Sequence, residues 1–268
     1  MIKQRQLILL LILALTLIAC ATSPTGRRQL MLVSEEHAIN ASAQAYVQTI
    51  TPLEKQGKID NDPVLKARVK RITGLLVAQA VIMRPDTKDW KWSMKIIDDP
   101  KTVNAWCMAG GKMALYTGLV EQIKPTDDEL AQVIGHEIAH ALANHSAEKM
   151  SVSMASSLGI LAIGIATDTP GVTAGAAAAA LVAVTLPNSR TAETEADRIG
   201  IELAAKAGFN PHAAVSLWEK MEKVSGGSPV GFLSTHPSSG KRQQRLGKLV
   251  PQMTPYYEDR GKRPVYPL

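Results

Sequence analysis

Cysteine is almost missing from this chain: its 268 residues hold only Cys20 and Cys107, too few for a disulfide framework, so packing must carry the fold. Beyond the N-terminus there is no uninterrupted apolar run of the roughly twenty residues that a membrane span takes. No internal repeat is found, which excludes a helical solenoid or repeat appendage. Concentrated positive charge is lacking too. The net charge is +6, yet the basic residues are scattered, and their densest groups, Lys66-Arg68-Lys70-Arg71 and Lys241 to Lys248, read as solvated helix faces rather than a nucleic-acid footprint. With 46% apolar and 20% charged residues, the chain has ordinary globular composition and is not of the disordered class.

What is present begins with an export pattern. Lys3 and Arg5 precede an apolar run from Leu7 to Ile18, the charge order and length of a signal peptide over residues 1–19. Leu17-Ile18-Ala19-Cys20 resembles a lipobox, which makes Cys20 the lipidated first residue of the mature chain, and a single uncleaved anchor is the alternative. Ala21, with no aspartate after the cysteine, resembles lipoproteins sent to the periplasmic face of the outer membrane. Residues 20–33 read as a polar tether, 34–250 as the folded domain and 251–268 as a tail. Cys107 reads as a buried small hydrophobe in a strand.

Local signals place the elements. One helix is expected from Ser34 to about Ile50, and a second has Asp62 as N-cap, Pro63 at its first position and an apolar stripe of Leu65, Val69, Ile72, Leu76 and Ala80. Short strands are expected at Trp92–Ile97, Val103–Met108 and Met113–Tyr116, with Gly110-Gly111 turning a hairpin. Thr126 to Glu129 is a capping box ahead of a periodic helix from Asp127 to about Met150. Two apolar helices are expected within Met154–Leu186, one from Arg190 to Ala207 ended by Gly208, and one after Asn210-Pro211 carrying Trp218.

The chemistry lies in His136-Glu137-Ile138-Ala139-His140. Residues four apart share a helix face, so His136 and His140 can both offer an imidazole nitrogen to one ion, and Glu137 is placed to act as a general base. His145, nine residues after His136, falls on the opposite face of a continuous helix and reads as structural. A catalytic zinc needs a third protein ligand. Glu193 and Asp197 lie one helical turn apart, so one can bind metal while the other braces a ligand histidine, whereas Glu195 points about 200° away from Glu193 and reads as solvated.

These residues carry a family likeness. Ile134-Gly135-His136-Glu137-Ile138-Ala139-His140, followed by Ser189-Arg190-x-x-Glu193-x-Glu195-Ala196-Asp197-Arg198-x-Gly200, resembles the HtpX, BepA and LoiP zinc endopeptidases and their CAAX prenyl endopeptidase relatives. The likeness implies a mainly α member of the α+β class, a gluzincin-type metalloprotease domain whose small sheet has an edge strand beside the active-site helix. It implies one zinc per chain held by His136, His140 and Glu193, with Glu137 as base and Asp197 behind a ligand. Thr235-His236-Pro237 with Arg242 resembles the family's His-Pro-x-x-x-x-Arg element, giving His236 two roles, oxyanion stabiliser or occupant of the open zinc position, and placing Arg242 behind the ligands. Asn104-Ala105-Trp106 resembles the edge strand on which substrate is laid.

Clear transmembrane helices, as in HtpX, are lacking, and too few residues follow Leu249 for the repeat domain of BepA, which makes the short lipid-anchored LoiP type the nearest likeness. The implied substrates are misfolded or unassembled envelope proteins; nucleic acid is not a partner. Two other readings stand beside it: a chaperone or assembly factor for outer-membrane proteins with a mainly structural zinc, and an aminopeptidase, which lacks its Gly-x-Met-Glu-Asn element.

Overall fold

The computed structural model describes residues 20–167, 174–175, 179, 186–225, 231–236 and 241–268. The signal segment, much of the apolar stretch to Leu186 and Pro237 lie outside the described residues. A short hairpin opens the fold, β1 (Cys20–Thr22) antiparallel to β2 (Arg28–Leu30). Helix α1 (Glu35–Lys55) starts where Ser34 accepts a hydrogen bond from the His37 N–H, and α2 (Pro63–Met83) starts where Asp62 accepts from Val64 and Leu65. Three strands follow: β3 (Ser93–Ile97), β4 (Ala105–Met108) and β5 (Lys112–Tyr116). Their order is β3-β5-β4, with β4 antiparallel to β5 through the expected glycine hairpin and β3 parallel to β5.

A short α3 (Thr117–Ile123) leads to α4 (Asp127–Leu142), whose capping box forms as read, with Thr126 and Glu129 satisfying each other's backbone donors. Every residue of α4 from Glu129 to Ala139 is buried, because α2, α6, α7 and β4 surround it. The remaining helices are α5 (His145–Thr167), α6 (Leu186–Lys206), α7 (Ala213–Ser225), the single turn α8 (Phe232–Thr235) and α9 (Arg242–Glu258). The whole is mainly helical with one small mixed sheet, the class the sequence predicts, and the edge strand β4 packs on α4. Among the described residues no helix is long and apolar enough to cross a membrane.

Three segments differ from the sequence reading. The helix expected to run to Met150 breaks after Leu142, because Asn144 takes a left-handed conformation (φ 54°) and α5 restarts at His145. Residues 20–33 are not a free tether, since 20–30 form the β1–β2 hairpin, in which Ser23 and Gln29 are buried. The tail does not begin at residue 251: α9 continues to Glu258, and Tyr266 and Leu268 pack against the core.

The crossing of α4 and α6 rests on two glycines. A Cβ on Gly135 would meet the Gly200 carbonyl oxygen at 2.9 Å, and a Cβ on Gly200 would meet the His136 nitrogen and Cα at 2.8 and 2.9 Å. Backbone therefore touches backbone at the point where α6 must bring Glu193 to the α4 histidines. Gly200→Ala is expected to cost about 1–3 kcal/mol through overpacking and to weaken zinc binding. Gly247→Ala, where a Cβ meets nothing within 4 Å, is the control and should leave both unchanged or slightly raise stability. Thermal unfolding and zinc titration of the two variants check this.

Candidate metal centre

Three elements converge on one point. From α4 come His136 and His140, one turn apart on its inner face; from α6 comes Glu193; from the end of α8 comes His236. One ligand atom from each lies within 4.8 Å of all the others. His136 Nε2 stands 3.1 Å from His140 Nε2, 3.4 Å from Glu193 Oε2 and 3.3 Å from His236 Nδ1. Glu193 Oε1 stands 3.4 Å from His140 Nε2 and 3.0 Å from His236 Nδ1. His136 and Glu193 are buried, and His140 and His236 are partly exposed.

The tautomers explain why the set suits a cation. Asp197 Oδ1 lies 3.2 Å from His136 Nδ1 and accepts a hydrogen bond from its N–H, so the lone pair of Nε2 faces inward. Lone pairs thus converge from two imidazoles and a carboxylate. Two atoms each about 2.0–2.1 Å from one zinc ion at tetrahedral angles stand about 3.3–3.4 Å apart, close to the separations found here.

Charge in the site follows from burial and these contacts. Burial raises the Glu193 carboxyl, but its contacts with His136, His140 and His236 outweigh it and hold the group far below the usual carboxylate range. Burial pushes His140 well below the usual imidazole value. Burial also lowers His136, yet hydrogen bonds to Asp197 and Glu193 win and push it up to about 9. At pH 7 the metal-free site therefore keeps a proton where zinc must bind. Zinc uptake at pH 7 is expected to release a proton, with affinity rising toward pH 9 and then levelling. Calorimetric titration in two buffers of different ionisation heat reads that proton, and no buffer dependence would contradict it.

Glu137 points its Oε1 into the site with no hydrogen-bond partner among the described residues, 3.4 Å from His236 Nε2. Burial raises its pKa against the opposing pull of His236 and His136. Behind the ligands Arg242, 1% exposed, holds Asp197 through Nε at 3.0 Å and Glu193 through a second nitrogen at 3.3 Å, and it stacks on Trp218 at 3.6 Å from the ring centre. Phe232 stacks on His236 with ring centres 4.4 Å apart.

The sequence model of peptidase family M48 matches residues 63–250, which include all four converging residues together with Glu137, Asp197 and Arg242. The chain belongs to peptidase family M48. Among its relatives are mitochondrial metalloendopeptidase OMA1 of Schizosaccharomyces pombe, 38% identical over 66% of this chain and 52% of that protein, and metalloprotease YcaL of Escherichia coli, 31% identical over 54% and 57%. A putative beta-barrel assembly-enhancing protease of Vibrio cholerae is 32% identical over 69% of this chain and 39% of its own length. The chain spans about half the length of the curated relatives it matches. In this M48 chain the cluster is a site for one zinc ion.

Asn104 and Ala105 lie at the free edge of β4. The Ala105 N–H is taken by Asn104 Oδ1 at 2.9 Å, and the Val103 carbonyl by the Phe232 N–H at 2.6 Å, so the start of this edge is already engaged. Cys107 is buried as expected, and burial pushes its thiol well above its usual pKa.

Two residues were misplaced by the sequence. His145 is not on the far face: the break at Asn144 turns it back so that its Nδ1 lies 2.9 Å from His140 Nδ1. Glu195 is not solvated: it is 5% exposed and receives His145, Ser23, Thr25 and Arg27. The signal for the first was Ala143-Asn144, since asparagine accepts a left-handed conformation at a helix end. No sequence signal pointed to the second, because three of its partners lie about 170 residues away and the fourth, His145, about 50.

Proposed function

We propose that this chain is a zinc-dependent endopeptidase, exported and anchored by a lipid on Cys20 to the periplasmic face of the outer membrane, which degrades misfolded or unassembled envelope proteins. The observation that carries the peptidase reading is Glu137, a buried carboxylate with a raised proton affinity whose Oε1 has no hydrogen-bond partner among the described residues and lies 3.4 Å from His236 Nε2, beside the His136, His140 and Glu193 set. A bound zinc ion supplies Lewis acidity, polarising a peptide carbonyl and making water acidic enough to lose its proton near neutral pH.

The protein's own groups do the rest. Glu137 takes the proton from attacking water and returns it to the departing amine. His236 Nε2, beside Glu137, is placed to hold negative charge developing on the carbonyl oxygen once its Nδ1 leaves the ligand cluster. Asp197 and Arg242 hold His136 and Glu193 in place. The free edge of β4 beyond Ala105 suits an extended peptide, which would add as a further strand with little sequence selectivity.

The envelope assignment is supported by the export pattern of the N-terminus and by the name of the V. cholerae relative, a putative beta-barrel assembly-enhancing protease; the short lipid-anchored LoiP type is the resemblance carried by the sequence motifs. Incubation of the zinc-loaded protein with casein tests the activity. Cleavage that stops with a chelator and returns with zinc is expected, and binding of casein without cleavage would favour the chaperone reading instead.

A further inference from the structure

The hairpin ahead of the M48 domain reaches the metal site through a continuous chain of polar contacts. Its turn is closed by the Ser23 N–H on the Arg27 carbonyl at 2.8 Å and the Gly26 N–H on the Ser23 carbonyl at 2.9 Å. From this turn Arg27 reaches two acidic side chains. Its two terminal nitrogens bind Glu148 at 2.7 and 2.6 Å, and its Nε binds Glu195 Oε2 at 2.5 Å. The carboxylates are 2% and 3% exposed at the side chain, so neither can be satisfied by bulk water. Ser23 and Thr25 donate their hydroxyls to the other oxygen of Glu195.

Beyond Glu195 the chain continues inward. Glu195 Oε2 lies 3.2 Å from His145 Nε2, and His145 Nδ1 lies 2.9 Å from His140 Nδ1. The order of donors follows from the carboxylate, which can only accept. It accepts a hydrogen bond from His145 Nε2–H, leaving His145 Nδ1 as an acceptor. His140 then donates from its own Nδ1, and the lone pair of its Nε2 is turned toward Glu193 and His136. His136 obtains the same arrangement directly from Asp197. The two imidazoles are thus set by two separate carboxylates of α6, and only the one serving His140 depends on the N-terminal hairpin.

We infer that Arg27 is a positioning residue for the zinc site, fixing the ring of His140 through Glu195 and His145. Gln29 reinforces the same point: its amide donates to Glu148 at 2.8 Å and to the carbonyl of Ala143 at 2.6 Å, the residue where α4 ends. Arginine is required because its planar fork can bridge two carboxylates at once, which a lysine ammonium cannot do with the same geometry. The segment leading away from Cys20 is then part of the scaffold of the metal centre rather than a passive leash. The inference rests on the metal centre of the proposed function but not on peptide hydrolysis.

The test reads zinc retention. In Arg27→Lys, zinc dissociation into excess chelator is expected to be faster by about tenfold or more, in the range found when partners behind a ligand histidine are removed. Ser23→Ala with Thr25→Val, which keeps the arginine, should also speed release. In a His145→Ala background the Arg27→Lys effect should vanish, since the link between the two ends is cut. Arg68→Lys, at the surface pair with Asp127, should release zinc at the wild-type rate. Wild-type zinc retention in both hairpin variants, or an Arg27→Lys effect undiminished by His145→Ala, would overturn the inference. Because zinc release is measured without substrate, absence of casein cleavage would sink the peptidase reading and leave this result standing.

Discussion

Glu137→Gln is expected to bind one zinc per chain as the wild type does and to lose about 10²–10⁴-fold or more in peptide hydrolysis. Glutamine keeps the size and shape of glutamate but cannot take a proton from water. Glu137 does not belong to the set of four that can hold the ion, and its Oε1, without a hydrogen-bond partner among the described residues, stands beside that set at 3.4 Å from His236 Nε2, so metal content should not change. The raised pKa of its carboxyl, caused by burial, makes the ionised form a stronger base than an exposed glutamate. Single-turnover cleavage of casein alongside zinc analysis separates the two effects. Near wild-type turnover would remove Glu137 from the mechanism, and loss of zinc would make it a ligand.

The metal-binding pair was legible because its information is local. His136, Glu137 and His140 lie within one and a half turns of a helix whose start is written in the capping box at Thr126 and Glu129, so spacing alone predicts their shared face. Glu193 and Asp197 were legible as a pair for the same reason, but the division of labour between them depends on the Gly135–Gly200 crossing, which no spacing rule contains. His145 failed because a single left-handed residue, Asn144, resets the helical phase on which the argument relied. Glu195 and Arg27 were illegible for another reason. A buried carboxylate is tolerated only with partners, and here the partners come from a hairpin that composition made look like a solvated linker.

Arg242→Ala is expected to destabilise the protein by about 3–5 kcal/mol, because it leaves the buried Asp197 and Glu193 without their shared cation. The loss also opens the space against Trp218 on which the guanidinium stacks. For a domain of this size the melting temperature should fall by roughly 10 °C. Arg242→Lys should recover part of the charge but not the two-carboxylate bridge, and is expected to fall between alanine and wild type. Zinc should partly rescue both variants, since it neutralises Glu193 directly. A shift in melting temperature of only a degree or two for Arg242→Ala would show that the buried arginine contributes little and that the ligands are held by packing alone.

The central claim concerns one ion gripped by two imidazoles of α4 and a carboxylate of α6. Elemental analysis of the purified wild type beside Glu193→Ala tests it most directly. The account predicts one zinc per wild-type chain and a large loss of it in the variant, with the fold retained by circular dichroism. A wild type free of stoichiometric transition metal, or a Glu193→Ala variant that holds zinc as tightly as its parent, would contradict it.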